Sequence, residues 1–122
     1  MNAHILVVED NLDNSKLFSW ILEDEGYEVT CVASGERCLT LLEKGGYDLV
    51  LMDISLPGIS GKEVTRRIRQ APHLQKLPVV ALTAHAIETE QQNILSSGVD
   101  DLLTKPINDD QLVKIIQKLL QE

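Results

Sequence analysis

The chain lacks any long hydrophobic run. It has 122 residues, and none of its apolar stretches approaches the roughly 18 residues that a membrane-spanning helix requires. Its first residues, MNAHILVVED, lack the basic segment of a secretory signal peptide and turn acidic early. We therefore expect a cytoplasmic protein that has no membrane partner.

Cysteine and histidine are scarce, and their spacing matches no common site. Cys31 and Cys38 stand seven residues apart, which fits neither a CxxC redox motif nor a zinc-binding pair. Without a secretory signal, we expect both to be buried free thiols. The histidines are scattered and show no metal-ligand spacing. They are His4, His73 and His85.

The sequence also lacks features that bind nucleic acids or nucleotides. Eleven basic against nineteen acidic residues give a net charge of −8, which argues against contact with a phosphate backbone. The same charge favours cations or basic surfaces as partners, although it also serves simply to keep a protein soluble. Neither GxGxxG nor GxxxxGK[ST] occurs. A nucleotide-binding or flavodoxin-like cofactor module is therefore disfavoured.

What is present is the composition of a globular protein, with 43% hydrophobic and 25% charged residues. The length predicts a single domain over residues 1–122. Short apolar runs alternate with segments of helical periodicity. The runs lie at residues 4–8, 28–32, 48–52, 78–82 and 100–104, and the helical segments at 14–25, 35–44, 61–70, 88–97 and 108–121.

Five strand–helix units predict an α/β fold. The first, third and fourth runs are almost continuously apolar, which is typical of parallel strands covered by helices on both faces. The second run alternates and the fifth begins with two acids, so both suit an edge. We expect a flavodoxin-like, doubly wound sheet of five parallel strands in the order 2-1-3-4-5, with five helices on its two faces. Ligands of such sheets bind at the carboxyl ends of strands 1 and 3.

Polar residues follow four of these strands, and the topology directs them to one crevice. They are Glu9 and Asp10, into which strand 1 runs, Asp53 at the end of strand 3, Thr83 at the end of strand 4 and Lys105 at the end of strand 5. Three neighbouring carboxylates repel one another unless a cation joins them, and oxygen ligands suit Mg²⁺. A carboxylate in such a site can attack phosphorus and form an aspartyl phosphate.

Each of these residues also has an ordinary structural interpretation. Asp53 alone is typical of a turn or helix cap, Thr83 of a β-strand, and Lys105 of a surface. The functional interpretation depends on their joint placement, because separate strands deliver complementary groups to one edge of the sheet.

The sequence resembles the receiver domain of two-component response regulators over essentially its whole length. The motifs that carry the resemblance are VVEDN at 7–11, LVLMDISLPGISG at 49–61, VVALTAHA at 79–86 and TKPI at 104–107. Together they are most similar to the chemotaxis-regulator-like, stand-alone or phosphorelay type. The resemblance implies a signalling domain that accepts a phosphoryl group from a phosphohistidine and changes conformation. The resemblance also implies that the domain is not a turnover enzyme, although it is expected to catalyse its own phosphorylation and dephosphorylation.

The resemblance also implies a role for each site residue. Asp53 corresponds to the phosphoacceptor. Asp10 and Asp53 correspond to direct Mg²⁺ ligands, Glu9 acts largely through water, and the backbone carbonyl of Ser55 is a third protein ligand. Thr83 corresponds to the switch hydroxyl and Lys105 to the lysine that contacts the phosphoryl group.

Neighbours of these residues carry further expectations. The Lys105–Pro106 bond is expected to be cis, and Ala84 to be the small residue beside the pocket. Ser55 and His85 are expected to flank the path of the water that hydrolyses the phosphoaspartate. Where the family often has an aromatic switch residue, this chain has Leu102, which strand alternation places on the face opposite Lys105. The coupling of Thr83 to the output face is therefore expected to differ.

The implied partners are a sensor histidine kinase or a histidine phosphotransfer domain, and a downstream protein bound by the face of helix 4, strand 5 and helix 5. Trp20, out of phase with the apolar side of helix 1, is expected to be partly exposed, either as a kinase contact or as a lone surface aromatic.

Alternatives remain open at this point. An aspartyl-phosphate phosphohydrolase needs a second Asp at position 55, where Ser55 stands. A degenerate receiver is disfavoured by the complete site. A receiver excised from a hybrid kinase or a larger regulator has the same sequence features.

Overall fold

The computed structural model describes residues 2–84 and 88–120, with the side chains of residues 88 and 89 excluded. In chain order, strands and helices alternate, with one short 3₁₀ turn at Pro72–Leu74. The strands are β1 (His4–Val8), β2 (Glu28–Val32), β3 (Leu49–Asp53), β4 (Val79–Thr83) and β5 (Asp101–Thr104). The helices are α1 (Leu12–Asp24), α2 (Gly35–Lys44), α3 (Gly61–Gln70), α4 (Glu88–Ser96) and α5 (Asp109–Leu120).

The five strands form one parallel sheet in the order β2-β1-β3-β4-β5. This confirms the predicted topology and both predicted edge strands. Strands β3 and β4 each begin and end one residue later than the apolar runs indicated, so Asp53 and Thr83 are the last residues of their strands. The ladder continues this far because Asp53 pairs in register with Leu82, and Thr83 with Thr104.

Side chains of the central strands alternate between two buried clusters. Leu6, Val50 and Ala81 face α2, α3 and α4, whereas Val7 and Leu51 face α1 and α5. All residues of β3 and β4 are buried. Burial of both sheet faces explains why these runs are continuously apolar, and it leaves the carboxyl ends of the strands as the place where polar side chains gather.

Short polar side chains fix the helix starts. Asn11, Ser34 and Ser60 each accept a hydrogen bond from a backbone N–H in the first turn of α1, α2 and α3. Asn108 accepts one from the Gln111 N–H at 3.0 Å, as its capping sequence predicts. None of the helices in the described ranges is long and apolar enough to cross a membrane.

Arg69 ties together the starts of β4 and β5, on the edge opposite the polar residues. Its guanidinium donates to the carbonyl oxygens of Leu77 at 2.6 Å and Gly98 at 2.8 Å, and to Asp100 Oδ2 at 2.9 Å. The same Asp100 oxygen accepts the Val79 N–H at 2.8 Å. These contacts fix where the two strands that carry Thr83 and Lys105 begin.

The two cysteines differ in their surroundings. Cys38 is buried, as predicted, but Cys31 is exposed, because β2 is an edge strand with one side partly open to solvent. Burial raises the pKa of Cys38 to about 12. At pH 8 about one Cys38 thiol in ten thousand is then ionised, and the thiolate is the reactive form.

We therefore expect iodoacetamide at pH 8 to label one thiol per native chain, at Cys31. Cys38 should react only after denaturant has unfolded the protein. Peptide mapping of the alkylated protein, with and without denaturant, measures this. The Cys31→Ser variant is the control and should remain unlabelled in its native state. Rapid labelling of Cys38 in the native protein would contradict the burial of this side of α2 against the sheet.

Candidate functional site

The polar residues predicted to gather at the sheet edge do so. Glu9 and Asp10 directly follow β1, Asp53 and Thr83 end β3 and β4, and Lys105 follows β5. Backbone hydrogen bonds extend the ladder at this edge. The Glu9 N–H donates to Val32 O at 3.0 Å, and the Lys105 N–H to Thr83 O at 2.7 Å. The sheet itself therefore fixes the separation of these residues.

Three carboxylates form an acidic cluster at this edge. Oxygen atoms of Glu9, Asp10 and Asp53 all lie within 4.8 Å of one another. Glu9 is 2% exposed and Asp53 is 3% exposed, whereas Asp10 is open to solvent. The cluster therefore has two buried members and one at its mouth, which leaves a route for an ion or a small anion to enter.

Lys105 reaches into the cluster from the end of β5. Its ammonium Nζ lies 3.1 Å from Glu9 Oε1 and 3.4 Å from Asp53 Oδ2. The peptide bond from Lys105 to Pro106 is cis, as the resemblance implied. One cation thus bridges two buried carboxylates that come from two different strands.

The charges of this site do not balance. Three carboxylates and one ammonium leave a formal charge of −2. Burial raises the pKa of Glu9, and the nearby Asp53 raises it further. Burial lowers the pKa of Lys105, but its bond to Glu9 and the charges of Asp53 and Glu9 outweigh that effect and leave it raised. The site therefore matches a divalent cation in both charge and ligand type.

Backbone and amide groups orient the carboxylates. The Ser55 N–H donates to Asp53 Oδ1 at 3.0 Å. Glu9 Oε2 accepts the Asn11 N–H at 3.3 Å, and Glu9 Oε1 accepts the Asn14 side-chain amide at 3.4 Å. Asn11 and Asn14 were assigned no site role from the sequence. The signals available were the place of Asn11 in the motif at 7–11 and the place of Asn14 at the start of the predicted helix 14–25.

Gly61 is a third residue without an assigned role. It begins α3, and its N–H donates to Ile54 O at 3.1 Å. A Cβ atom at this position would lie 2.8 Å from Ile54 Cα and would also meet the carbonyl oxygen of Asp53. Helix α3 therefore packs directly on the backbone that presents Asp53. The sequence offered no signal for this beyond a glycine at a helix start.

Four predictions concern residues in or beside the switch, and the structure describes three of these residues, Thr83, Ala84 and Leu102. Thr83 is 1% exposed at the end of β4, and Ala84 is exposed beside it. Leu102 packs on the side of α2, α3 and α4, whereas its neighbour Leu103 packs on the side of α1 and α5. Leu102 and Leu103 therefore lie on opposite faces of the sheet, as strand alternation predicts. His85, expected to flank the pocket, lies outside the described residues.

Trp20 lies on the outer side of α1 and is 74% exposed, more than predicted. Leu12 and Leu17 on the same helix are also exposed. Leu17 and Trp20 line a groove between α1 and α5 whose polar rim consists of acidic residues, Asp24, Glu25, Asp109 and Asp110.

Comparison with known proteins agrees with this geometry. A sequence model of the response regulator receiver domain matches residues 5–117. The sensor protein GacS of Pseudomonas syringae pv. syringae is 44% identical over 117 residues, which are 93% of this chain and 13% of that protein. The response regulator DivK of Brucella ovis is 37% identical over 98% of both chains. The chain thus spans almost all of DivK but a small part of GacS.

Solved structures of other proteins match the fold over the whole length of this chain. A response regulator from Chloroflexus aurantiacus superimposes with a TM-score of 0.96 at 31% identity, over 100% of both chains. The receiver domain of a sensor histidine kinase from Pseudomonas aeruginosa, with magnesium coordinated in its active site cleft, gives a TM-score of 0.92 at 36% identity, also over 100% of both chains. Sequence match, strand order and acidic edge agree, and the chain belongs to the family of response regulator receiver domains.

Proposed function

We propose that Asp53 accepts a phosphoryl group from a phosphohistidine and holds it as a short-lived signal. The observation that carries this proposal is a buried carboxylate that Lys105 and two further acids surround. An Asp53 oxygen forms a bond to phosphorus while the phosphorus–nitrogen bond of the donor breaks. The electron pair of that bond remains on the imidazole nitrogen, which takes up a proton from water. A carboxylate is itself the nucleophile, so this step needs no general base.

Asp10, Asp53 and the backbone carbonyl of Ser55 are proposed to hold Mg²⁺, with Glu9 acting mainly through water. The net charge and all-oxygen composition of the cluster support this assignment, as does the magnesium ion in the related kinase receiver. When bound, the ion neutralises charge on the transferring phosphoryl oxygens. Asp10, Asp53 and Glu9 would bind and orient the ion, and the repulsion between their carboxylates would fall.

Lys105 and Thr83 are proposed to contact the phosphoryl oxygens. Lys105 already lies 3.4 Å from Asp53, so a small rotation of its side chain brings Nζ to an oxygen attached there. Thr83 pairs in register with Thr104, whose hydroxyl accepts a hydrogen bond from the Gln91 amide of α4 at 3.4 Å. A shift of Thr83 is therefore transmitted to α4 and β5 without an aromatic residue at position 102.

The proposed donor is a sensor histidine kinase or a histidine phosphotransfer domain, and exposed Trp20 on α1 is its proposed contact. The phosphorylated domain then binds a downstream protein through the face of α4, β5 and α5. We also propose that residues 1–122 form a single receiver domain, that it acts in the cytoplasm, and that it catalyses its own phosphorylation and dephosphorylation. A receiver that works within a hybrid kinase or a larger regulator fits the same features.

Incubation with acetyl phosphate tests the central step. With millimolar Mg²⁺ we expect intact-mass spectra to show one added phosphoryl group, and peptide mapping after borohydride reduction to place it at Asp53. With EDTA in place of Mg²⁺ the adduct should not form, because the repulsion of three carboxylates then opposes an incoming anion. A control with Ca²⁺ distinguishes a need for the smaller ion from simple charge neutralisation. A protein that stays unmodified with Mg²⁺ would overturn the proposal.

A further inference from the structure

The Lys105 ammonium is the cation that contacts the acidic cluster. The proposed chemistry also requires it to contact the phosphoryl group on Asp53. Among the described residues, Lys105 is the only one with an ion pair to Glu9 or Asp53. Its Nζ lies closer to Glu9, at 3.1 Å, than to Asp53, at 3.4 Å. When Lys105 turns to a phosphoryl group on Asp53, Glu9 loses its charged partner while it remains buried.

Other donors to Glu9 come from the first turn of α1, and they do not depend on Lys105. The Asn14 side-chain amide and the Asn11 N–H each contact one carboxylate oxygen, at 3.4 and 3.3 Å. The Ser15 hydroxyl donates to the Glu9 carbonyl oxygen at 3.2 Å. Asn14 is itself held, because its backbone N–H donates to the Asn11 side chain at 3.0 Å.

We propose that Asn14 is a positioning residue that keeps the Glu9 carboxylate directed into the acidic cluster, both while Lys105 contacts Glu9 and after Lys105 turns away from it. This inference rests on the proposed function. The amide is neutral, so it orients Glu9 without reducing the negative charge that attracts a divalent ion. A lysine or arginine in its place would compete with that ion. The Asn14 amide can therefore fix the orientation of Glu9 without changing the charge of the cluster.

The location of Asn14 allows two other roles that the test must distinguish. Asn14 lines a small groove with Leu17, Lys105, Pro106 and Ile107, so it can also touch an incoming donor. It also lies within the first turn of α1, so its replacement can weaken the helix start. A role through Glu9 changes Mg²⁺ binding, whereas a donor contact changes the reaction rate and a helix role changes stability.

The test compares wild type with Asn14→Leu, which keeps the branching and the number of heavy atoms of the side chain but removes its amide. Mg²⁺ affinity is measured without phosphorylation, from backbone amide chemical shifts during titration with MgCl₂. We expect the dissociation constant to rise about tenfold, the lower end of the roughly 10–100-fold range for groups that orient metal ligands. The Asn93→Leu variant, at an exposed position on α4, is the matched control and should bind Mg²⁺ like wild type.

Kinetics with acetyl phosphate provide the second measurement. The Mg²⁺ concentration for half-maximal phosphorylation should rise by the same factor, and the rate at saturating Mg²⁺ should stay within about twofold of wild type. If Asn14→Leu fails to fold by circular dichroism, Asn14→Ala is used instead. Unchanged Mg²⁺ affinity, or a lower saturated rate without an affinity change, would overturn the inference. A wild-type protein that binds Mg²⁺ but accepts no phosphoryl group would instead overturn the proposed function.

Discussion

Replacement of Asp53 with asparagine is expected to abolish the phosphoryl adduct completely. The amide has nearly the shape of the carboxylate and keeps an oxygen for the Ser55 N–H, which lies 3.0 Å from Oδ1 in wild type. It lacks the negative charge and nucleophilicity that attack on phosphorus requires. Intact-mass measurement after incubation with acetyl phosphate and Mg²⁺ should therefore show only the unmodified chain.

The matched control is Asp48→Asn, which makes the same change just before the other end of β3. Asp48 accepts the His4 N–H at 2.8 Å through one oxygen, and an asparagine can retain that bond. We expect this variant to be phosphorylated like wild type. An adduct that persists in Asp53→Asn and maps to Glu9 or Asp10 would assign the nucleophile to a different member of the cluster.

The Asp53→Asn variant should be at least as stable as wild type. Without a metal ion, Asp53 is a buried charge beside two other acids, and Lys105 offsets only part of the repulsion. Removal of its charge relieves that repulsion. Urea unfolding in EDTA should give a free energy of unfolding equal to or above that of wild type. A clear loss of stability would show that the Lys105 contact outweighs the repulsion.

Replacement of Gly61 with alanine is expected to reduce both stability and phosphorylation. The added methyl group would meet backbone atoms of Asp53 and Ile54 rather than flexible side chains. Overpacking of this kind costs about 2–3 kcal/mol, and the better helix propensity of alanine offsets less than about 1 kcal/mol of it. Because the displaced backbone carries the acceptor, the phosphorylation rate should fall at least about tenfold.

Gly35→Ala is a closely matched control for this prediction. Gly35 begins α2 after the cap Ser34, as Gly61 begins α3 after the cap Ser60. A methyl group at Gly35 would meet the side chains of Val64 and Ile59 instead of the end of β3. We expect this variant to lose stability in urea while its folded fraction is phosphorylated at nearly the wild-type rate. Equal losses of rate in both variants would argue against a specific effect on Asp53.

The number, type and order of the strands and helices were the most predictable part of the fold. Strands β1 and β2 and helices α2 and α3 have the bounds that the apolar runs and helical periods indicated. Strands β3 and β4 end one residue later, because ladder pairing continues through the polar residues Asp53 and Thr83. Hydropathy cannot report such pairing, since a polar side chain at a strand end has the same sequence signature as a turn residue.

Exposure was harder to predict than secondary structure. Cys31 and Cys38 have the same chemistry, yet one faces solvent from an edge strand and the other lies on the buried side of α2 in the core. The sequence predicted β2 as an edge strand, but how closely the helices cover each side of that strand depends on tertiary packing. Such coverage is a long-range property, which a local pattern does not contain.

The amino-acid sequence by itself determined the strand order, the family and the identities of the acids, the hydroxyl and the lysine at the sheet edge, because apolar periodicity and motif spacing are local properties of the chain. Only the tertiary structure decided how these groups share their contacts. It placed Lys105 between Glu9 and Asp53, brought the Asn14 amide to Glu9 and packed Gly61 against the backbone of Asp53. Each of these contacts joins separate elements at distances fixed by the packing of helices on the sheet, so no local sequence signal specifies them.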